Sequence, residues 1–189
     1  IYSEIEFDES FKPKDNFNIS GLVKETAINI KNEYLIKDIN FNFFYEKQSL
    51  NLEDLSAKLD GLRIYEGKID YNKDKEDHNI IAVLKNTINS SGPNSKKIFS
   101  MIGFNTNNFS NLSLKGSFTK TFNLKLDKTL AIKKFDVNGT GSLTHLTTDL
   151  KEKINNSLLK EKIEKVHLKD LNFNLDYKNQ KIDKFSIFG

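Results

Sequence analysis

The chain contains no cysteine and no tryptophan, a single methionine and, among 29 basic residues, one arginine, Arg63. Without cysteine there is neither a disulfide framework nor a thiolate metal site, and the redox compartment stays open. Lysines interleaved with acids give a net charge of only +3. A basic face carrying arginines for bidentate phosphate contacts is missing, so no nucleic-acid partner is expected. No apolar run is long enough to read as a transmembrane span. The first residue, Ile1, and the strand-like ending Phe185 to Phe188 both look cut. Residues 1–189 are therefore expected to be one fragment of a larger repetitive β protein.

Chemistry-bearing groups are equally sparse. His78, His145 and His167 are far apart in sequence and lack metal-ligand spacing. His78 reads as part of a solvated charged turn, and no nucleophile motif stands near His145 and Asp149. Gly139 and Gly141 lie in a continuing strand pattern rather than a phosphate cradle, which favours a bulge or close packing. Gly92-Pro93-Asn94-Ser95-Lys96 lacks the Gly-Lys-Ser/Thr of a phosphate-binding loop. The paired acids Glu53-Asp54 and Glu76-Asp77 are adjacent, so on a strand they point to opposite faces. No enzyme activity, metal or cofactor is expected.

What the chain does have is period-2 alternation with a high phenylalanine count, 15 of 189. Ile39, Phe41, Phe43 and Tyr45 share one face; Leu50 and Leu52 resume it after a polar turn. The apolar parity then moves to Leu55, Ala57 and Leu59, which predicts a bulge near Asp54. Leu114 and Phe118, then Phe122, Leu124 and Leu126, then Leu171, Phe173 and Leu175 repeat the style. Short polar turns between such runs predict an antiparallel meander. Two segments break the pattern. Helices are expected near 94–103, capped by Asn94 or Ser95, and near 147–166, capped by Thr148 or Asp149, with Leu150, Ile154, Leu158, Leu159, Ile163 and Val166 at helical spacing. The fold class is thus mainly β: a curved antiparallel meander sheet with one or two helices.

One phrase occurs twice. KDINFNFFYEKQ begins at Lys37 and KDLNFNLDYKNQ at Lys169; seven of twelve positions are identical. Each reads as the opening strand of a hairpin, in modules near 37–59 and 169–187. Repetition of turn and register together marks an array of stacked β units. The alternation leaves one sheet face apolar. Ile39, Phe41, Phe43, Leu50, Leu52, Leu114, Phe118, Phe122, Leu124, Leu126, Leu171, Phe173 and Leu175 line it as groove candidates. Such a face is either an ordinary core, covered by helices and a second sheet, or an open trough for acyl chains.

Leu55-Ser-Ala-Lys-Leu-Asp-Gly61-Leu-Arg-Ile-Tyr-Glu-Gly67-Lys-Ile-Asp-Tyr71, with the preceding Ile39 to Phe43 and Leu50 to Leu52, resembles the AsmA-like superfamily of bacterial envelope proteins. The likeness is to its long repeating β-groove members of the YhdP and TamB type. Lys115 to Phe118 and Val137 to Leu143 share the strand style. The resemblance implies a long β-groove with an apolar inner wall, no cofactor, and phospholipid acyl chains as ligand. It also implies adjacent repeats of the same chain as neighbours, and a periplasmic location anchored to the inner membrane by a segment not present here. The alternatives are a closed β-sandwich module that binds a partner by strand addition, and a lipopolysaccharide-type carrier.

Overall fold

The computed structural model describes residues 1–189 except 13, 15–16, 31–33, 102–104, 156–160 and 179–180. Its strands are β1 (Tyr2–Glu4), β2 (Asn18–Ile30), β3 (Tyr34–Glu46), β4 (Ser49–Leu59), β5 (Leu62–Asp74), β6 (Asp77–Ser91), β7 (Phe109–Leu126), β8 (Ile132–Ile154), β9 (Ile163–Leu168), β10 (Leu171–Lys178) and β11 (Lys181–Phe188), with one helix, α1 (Pro93–Met101), between β6 and β7. All eleven strands form a single curved, open antiparallel sheet in the order β1-β2-β3-β4-β5-β6-β7-β8-β10-β11, with β9 pairing β8. The meander follows from the turns. Lys47 and Gln48 both have positive φ, as do Asp60 and Gly61. That is the two-residue geometry whose twist matches paired strands.

The strands are kinked at marked places. Glu25, Asp38, Asp54 and Glu66, on the consecutive strands β2 to β5, all have φ between 51° and 54°. The pairing register shifts beside each of them. The bulge expected near Asp54 is therefore one of a series crossing the sheet, and each bends its strand. Polar side chains hold the kinks: Asp38 pairs with Lys58 at 2.8 Å, Asn42 Nδ2 donates to Asp54 at 2.9 Å, and Lys85 pairs with Glu66. Asp170, the counterpart of Asp38 in the repeated phrase, has φ 53° against 52°. The likeness between the two copies thus extends to backbone conformation.

Two expectations about helices change. Residues expected to be helical at 147–166 are strand instead: Thr147 to Ile154 end β8 and Ile163 to Val166 lie in β9, while Leu158 and Leu159 fall outside the described residues. The i,i+4 match of Leu150 and Ile154 coexists with a period-2 set, Leu146, Thr148 and Leu150. Pairing with β7 and β9 selects the strand reading. Neither proposed cap acts as one. Thr148 Oγ1 donates to the Ser110 carbonyl at 2.9 Å, and Asp149 accepts from Asn111 Nδ2 at 2.7 Å. The expected helix near 94–103 is present but starts at Pro93, whose fixed φ and missing N–H suit a first helical position. Gly92 rather than Asn94 or Ser95 precedes it, and the Lys96 amide donates to the Gly92 carbonyl at 3.4 Å.

The core is concentrated at one end, with Ala82 and Val137 buried farther along the sheet. Ala57, Leu59, Ile88, Leu112, Leu114 and Leu150 are buried at that end, where α1 lies against β6 and β7. Lys97 of α1 reaches across to Asp60 at 2.9 Å and over the Tyr34 ring at 4.8 Å. At the opposite end Asp77 accepts from Lys125 at 2.8 Å and from Lys133, tying β6, β7 and β8 together. These hydrogen bonds hold its carboxyl below the usual range near 3.8. A lowered folded-state value stabilises the fold above the unfolded value and is lost as pH falls through it. The expected result is a urea midpoint that drops between pH 5 and pH 3 by less in Asp77→Asn than in wild type. The difference should be small, because the cluster is exposed and salt-screened.

Candidate functional site: one apolar face

Antiparallel partners share a sheet face, so the register can be followed across the molecule. Tyr45 pairs with Leu50, Leu50 with Tyr71, Tyr71 with Ile80, Ile80 with Leu124 and Leu124 with Phe135. One turn of the pleat away, Phe43 leads through Leu52, Ile69, Ala82, Phe122 and Val137 to Tyr177. Phe118 leads through Gly141 to Phe173 and on to Ile187. All thirteen groove candidates fall on this one face. Ile39 and Leu114 are buried, at 6% and 5% exposure, and serve as ordinary core; the others are half-buried. Ile69, Tyr71, Ile80, Leu84 and Phe135 join them through their cross-strand partners, and Tyr177 through its parity with Phe173 and Leu175.

The face is little covered. A folded monomer of 21.8 kDa is expected to expose about 9,300 Å²; this chain exposes 13161 Å², far more than a closed two-layer domain would. Among the described residues there is one sheet and no second sheet lies over it. At the β11 edge Ile182, Phe185 and Ile187 are 65%, 56% and 54% exposed. Described ring contacts join near neighbours, Phe41–Phe43, Phe122–Phe135, Phe135–Tyr177 and Phe118–Phe173. The opposite face is mainly polar, with Leu22, Phe44, Ile81 and Val83 exposed on it, and carries two shallow depressions. One of about 410 Å³ lies over Ser117, Thr119, Thr140, Ser142, Asn172 and Asn174; another of about 220 Å³ lies by Asn42, Asn51 and Glu53.

Five glycines sit in paired positions of the described strands: Gly21, Gly67, Gly116, Gly139 and Gly141. All five belong to the apolar face, opposite Phe43, Leu55, Ile88, Lys120 and Phe118. A Cβ at Gly141 would lie 2.5 Å from both the Phe118 Cβ and the Ser117 carbonyl oxygen. The expected close packing at this glycine is present, and β8 runs through it without a helix start. At Gly139 the nearest atoms would be 3.8 Å away, an ordinary packing distance that leaves room for a methyl group.

Histidine placement differs from the sequence reading. His78 is not simply solvated: it lies half-buried at the end of the apolar face and stacks on Tyr71 at 5.9 Å, with Tyr71 Oη 2.8 Å from its Nδ1. His145 and His167, distant in sequence, are brought to a ring separation of 5.1 Å by the β8–β9 pairing. Among the described residues no cluster of three metal-ligating side chains forms. Sequence reading missed Lys120, which shares the parity of Phe118 and Phe122 and so lies on the apolar face. That parity was the available signal.

No family model matches the chain, and no curated protein or solved structure matches it.

Proposed function

We propose that this chain is a section of a bacterial cell-envelope β-groove protein whose apolar sheet face is a lane for phospholipid acyl chains travelling between the inner and outer membranes. The observation that carries the reading is the exposed surface of 13161 Å² combined with an apolar face that runs unbroken in register from β2 to β11. An apolar sheet face left without a covering layer marks a surface made for a partner. Removing it from water gains about 25 cal/mol per Å², so an acyl chain laid along it binds by several kcal/mol without any polar site. The resemblance to AsmA-like proteins supplies the membrane setting: a periplasmic location, an inner-membrane anchor in another part of the protein, and further repeats continuing the sheet at β11.

The test is lipid co-purification. The fragment, purified from bacterial envelopes without detergent and extracted with organic solvent, should yield phospholipid near stoichiometric amounts by mass spectrometry. A lipid-free protein that also fails to take up a fluorescent acyl probe would end the proposal.

A further inference from the structure

The register places Lys120 on the apolar face, half-buried among apolar neighbours; Lys73, on the same face, is exposed at the end of β5 opposite His78, and no acid pairs with Lys120 across either neighbouring strand. It sits mid-strand in β7, paired with Leu84 on one side and Gly139 on the other. Its Nζ lies over the rings of Phe118 at 5.0 Å and Phe122 at 5.6 Å. Among the described residues no carboxylate comes within ion-pair distance of it, although thirteen other lysines form such pairs elsewhere. Burial against the two rings lowers its pKa. An ammonium held among apolar groups without a counter-ion is costly, and the rings offset only part of that cost.

A second polar group stands beside it. Asn86 pairs with Phe118 and so is the diagonal neighbour of Lys120, about 7–8 Å away at the backbone. It is wholly buried, and neither its amide oxygen nor its amide nitrogen has a hydrogen-bond partner among the described residues. Buried polar groups are nearly always satisfied, so an unsatisfied amide directly behind a half-buried, unpaired ammonium marks this spot as one set aside for polar contact on an otherwise apolar face. Gly139, lacking a side chain, lets the Lys120 stem lie down against the strand, with Lys120 Cγ 3.8 Å from where a Cβ would stand.

We infer that Lys120 and Asn86 form a headgroup station for an anionic amphiphile, whose acidic oxygens take the ammonium while its hydrocarbon lies along the apolar face. The inference rests on the acyl-lane reading and adds to it the charge of the cargo. A carboxylate and a phosphate monoester offer the same chemistry here: several acceptor oxygens on a negative centre with an apolar tail attached.

The test uses delipidated protein and two probes that differ by one charge, cis-parinaric acid and its methyl ester. Wild type should bind the acid about tenfold more tightly than the ester, as expected for one charge-assisted contact. Lys120→Met, which keeps the apolar stem, should weaken the acid about tenfold, leave the ester unchanged, and melt at or above the wild-type temperature. Lys120→Arg should retain the preference. Equal binding of acid and ester by wild type would overturn the headgroup station and leave the lane standing, and this comparison needs no variant to fold. Binding of neither probe would overturn both. Displacement of the bound acid by short-chain phosphatidic acid or by octanoate then tells a phosphate headgroup from a free fatty acid.

Discussion

Phe173→Asp should abolish retention of acyl chains and leave the protein folded. Phe173 lies in β10 between Gly141 of β8 and Ile187 of β11, and its ring leans toward Phe118, with centroids 6.3 Å apart across the glycine. The ring is half-buried, so an aspartate there keeps contact with water and avoids the full penalty of a charge sealed in a core. Its effect on a hydrocarbon lying over the same spot is different. The lane loses the area of a phenyl ring and gains a hydrated charge, which together are worth about 3 kcal/mol or more, a factor of over a hundred in affinity. Acyl-probe titration and near-ultraviolet circular dichroism on the same sample decide it. Lost binding with an unchanged thermal midpoint supports the lane. Unfolding would place Phe173 in an ordinary core.

A second pair of substitutions separates packing from openness on one strand. Gly141→Ala puts a methyl group 2.5 Å from the Phe118 Cβ, 2.5 Å from the Ser117 oxygen and 2.8 Å from the Phe118 Cα. Two of those atoms are backbone, and β7 cannot move away without breaking its ladder to β6 and β8. The expected cost is about 3 kcal/mol, at the upper end of overpacking effects. For a chain of this length that lowers the melting temperature by about 6–12 °C. Gly139→Ala, two residues earlier on the same face, meets nothing closer than 3.8 Å. It should stabilise by about 0.5 kcal/mol, because alanine loses less backbone freedom on folding than glycine. Equal melting temperatures for the two variants would show that the strands do not approach each other as described.

How far the sequence foretold this depends on which physical signal each part uses. Alternation identifies faces strand by strand, and it assigned Phe41, Phe118 and Phe173 to one side because each strand keeps its parity between kinks. The parity change between Leu52 and Leu55 exposed the kink at Asp54 for the same reason. The helix expected over 147–166 failed because a helix and a strand compete for the same leucines. The contest at Thr148 and Leu150 is settled by the neighbouring strand β7, a long-range partner that local spacing does not reveal. Lys120 escaped notice because a lysine between two phenylalanines reads as part of a polar row. Only counting by twos from Phe118 shows that it stands in the apolar one. The approach of His145 and His167 depends entirely on how β9 returns to β8.

The left-handed aspartates carry one more consequence. Asp38 and Asp170 stand at the start of matching hairpins with the same φ, the first as a kink inside β3 and the second in the turn ahead of β10. A duplicated hairpin therefore carries its own entry geometry and joins the sheet edge as a unit. Each copy widens the array by two strand spacings, about 9.6 Å. Tandem duplication in the gene is then enough to set the width of the sheet in increments of one hairpin.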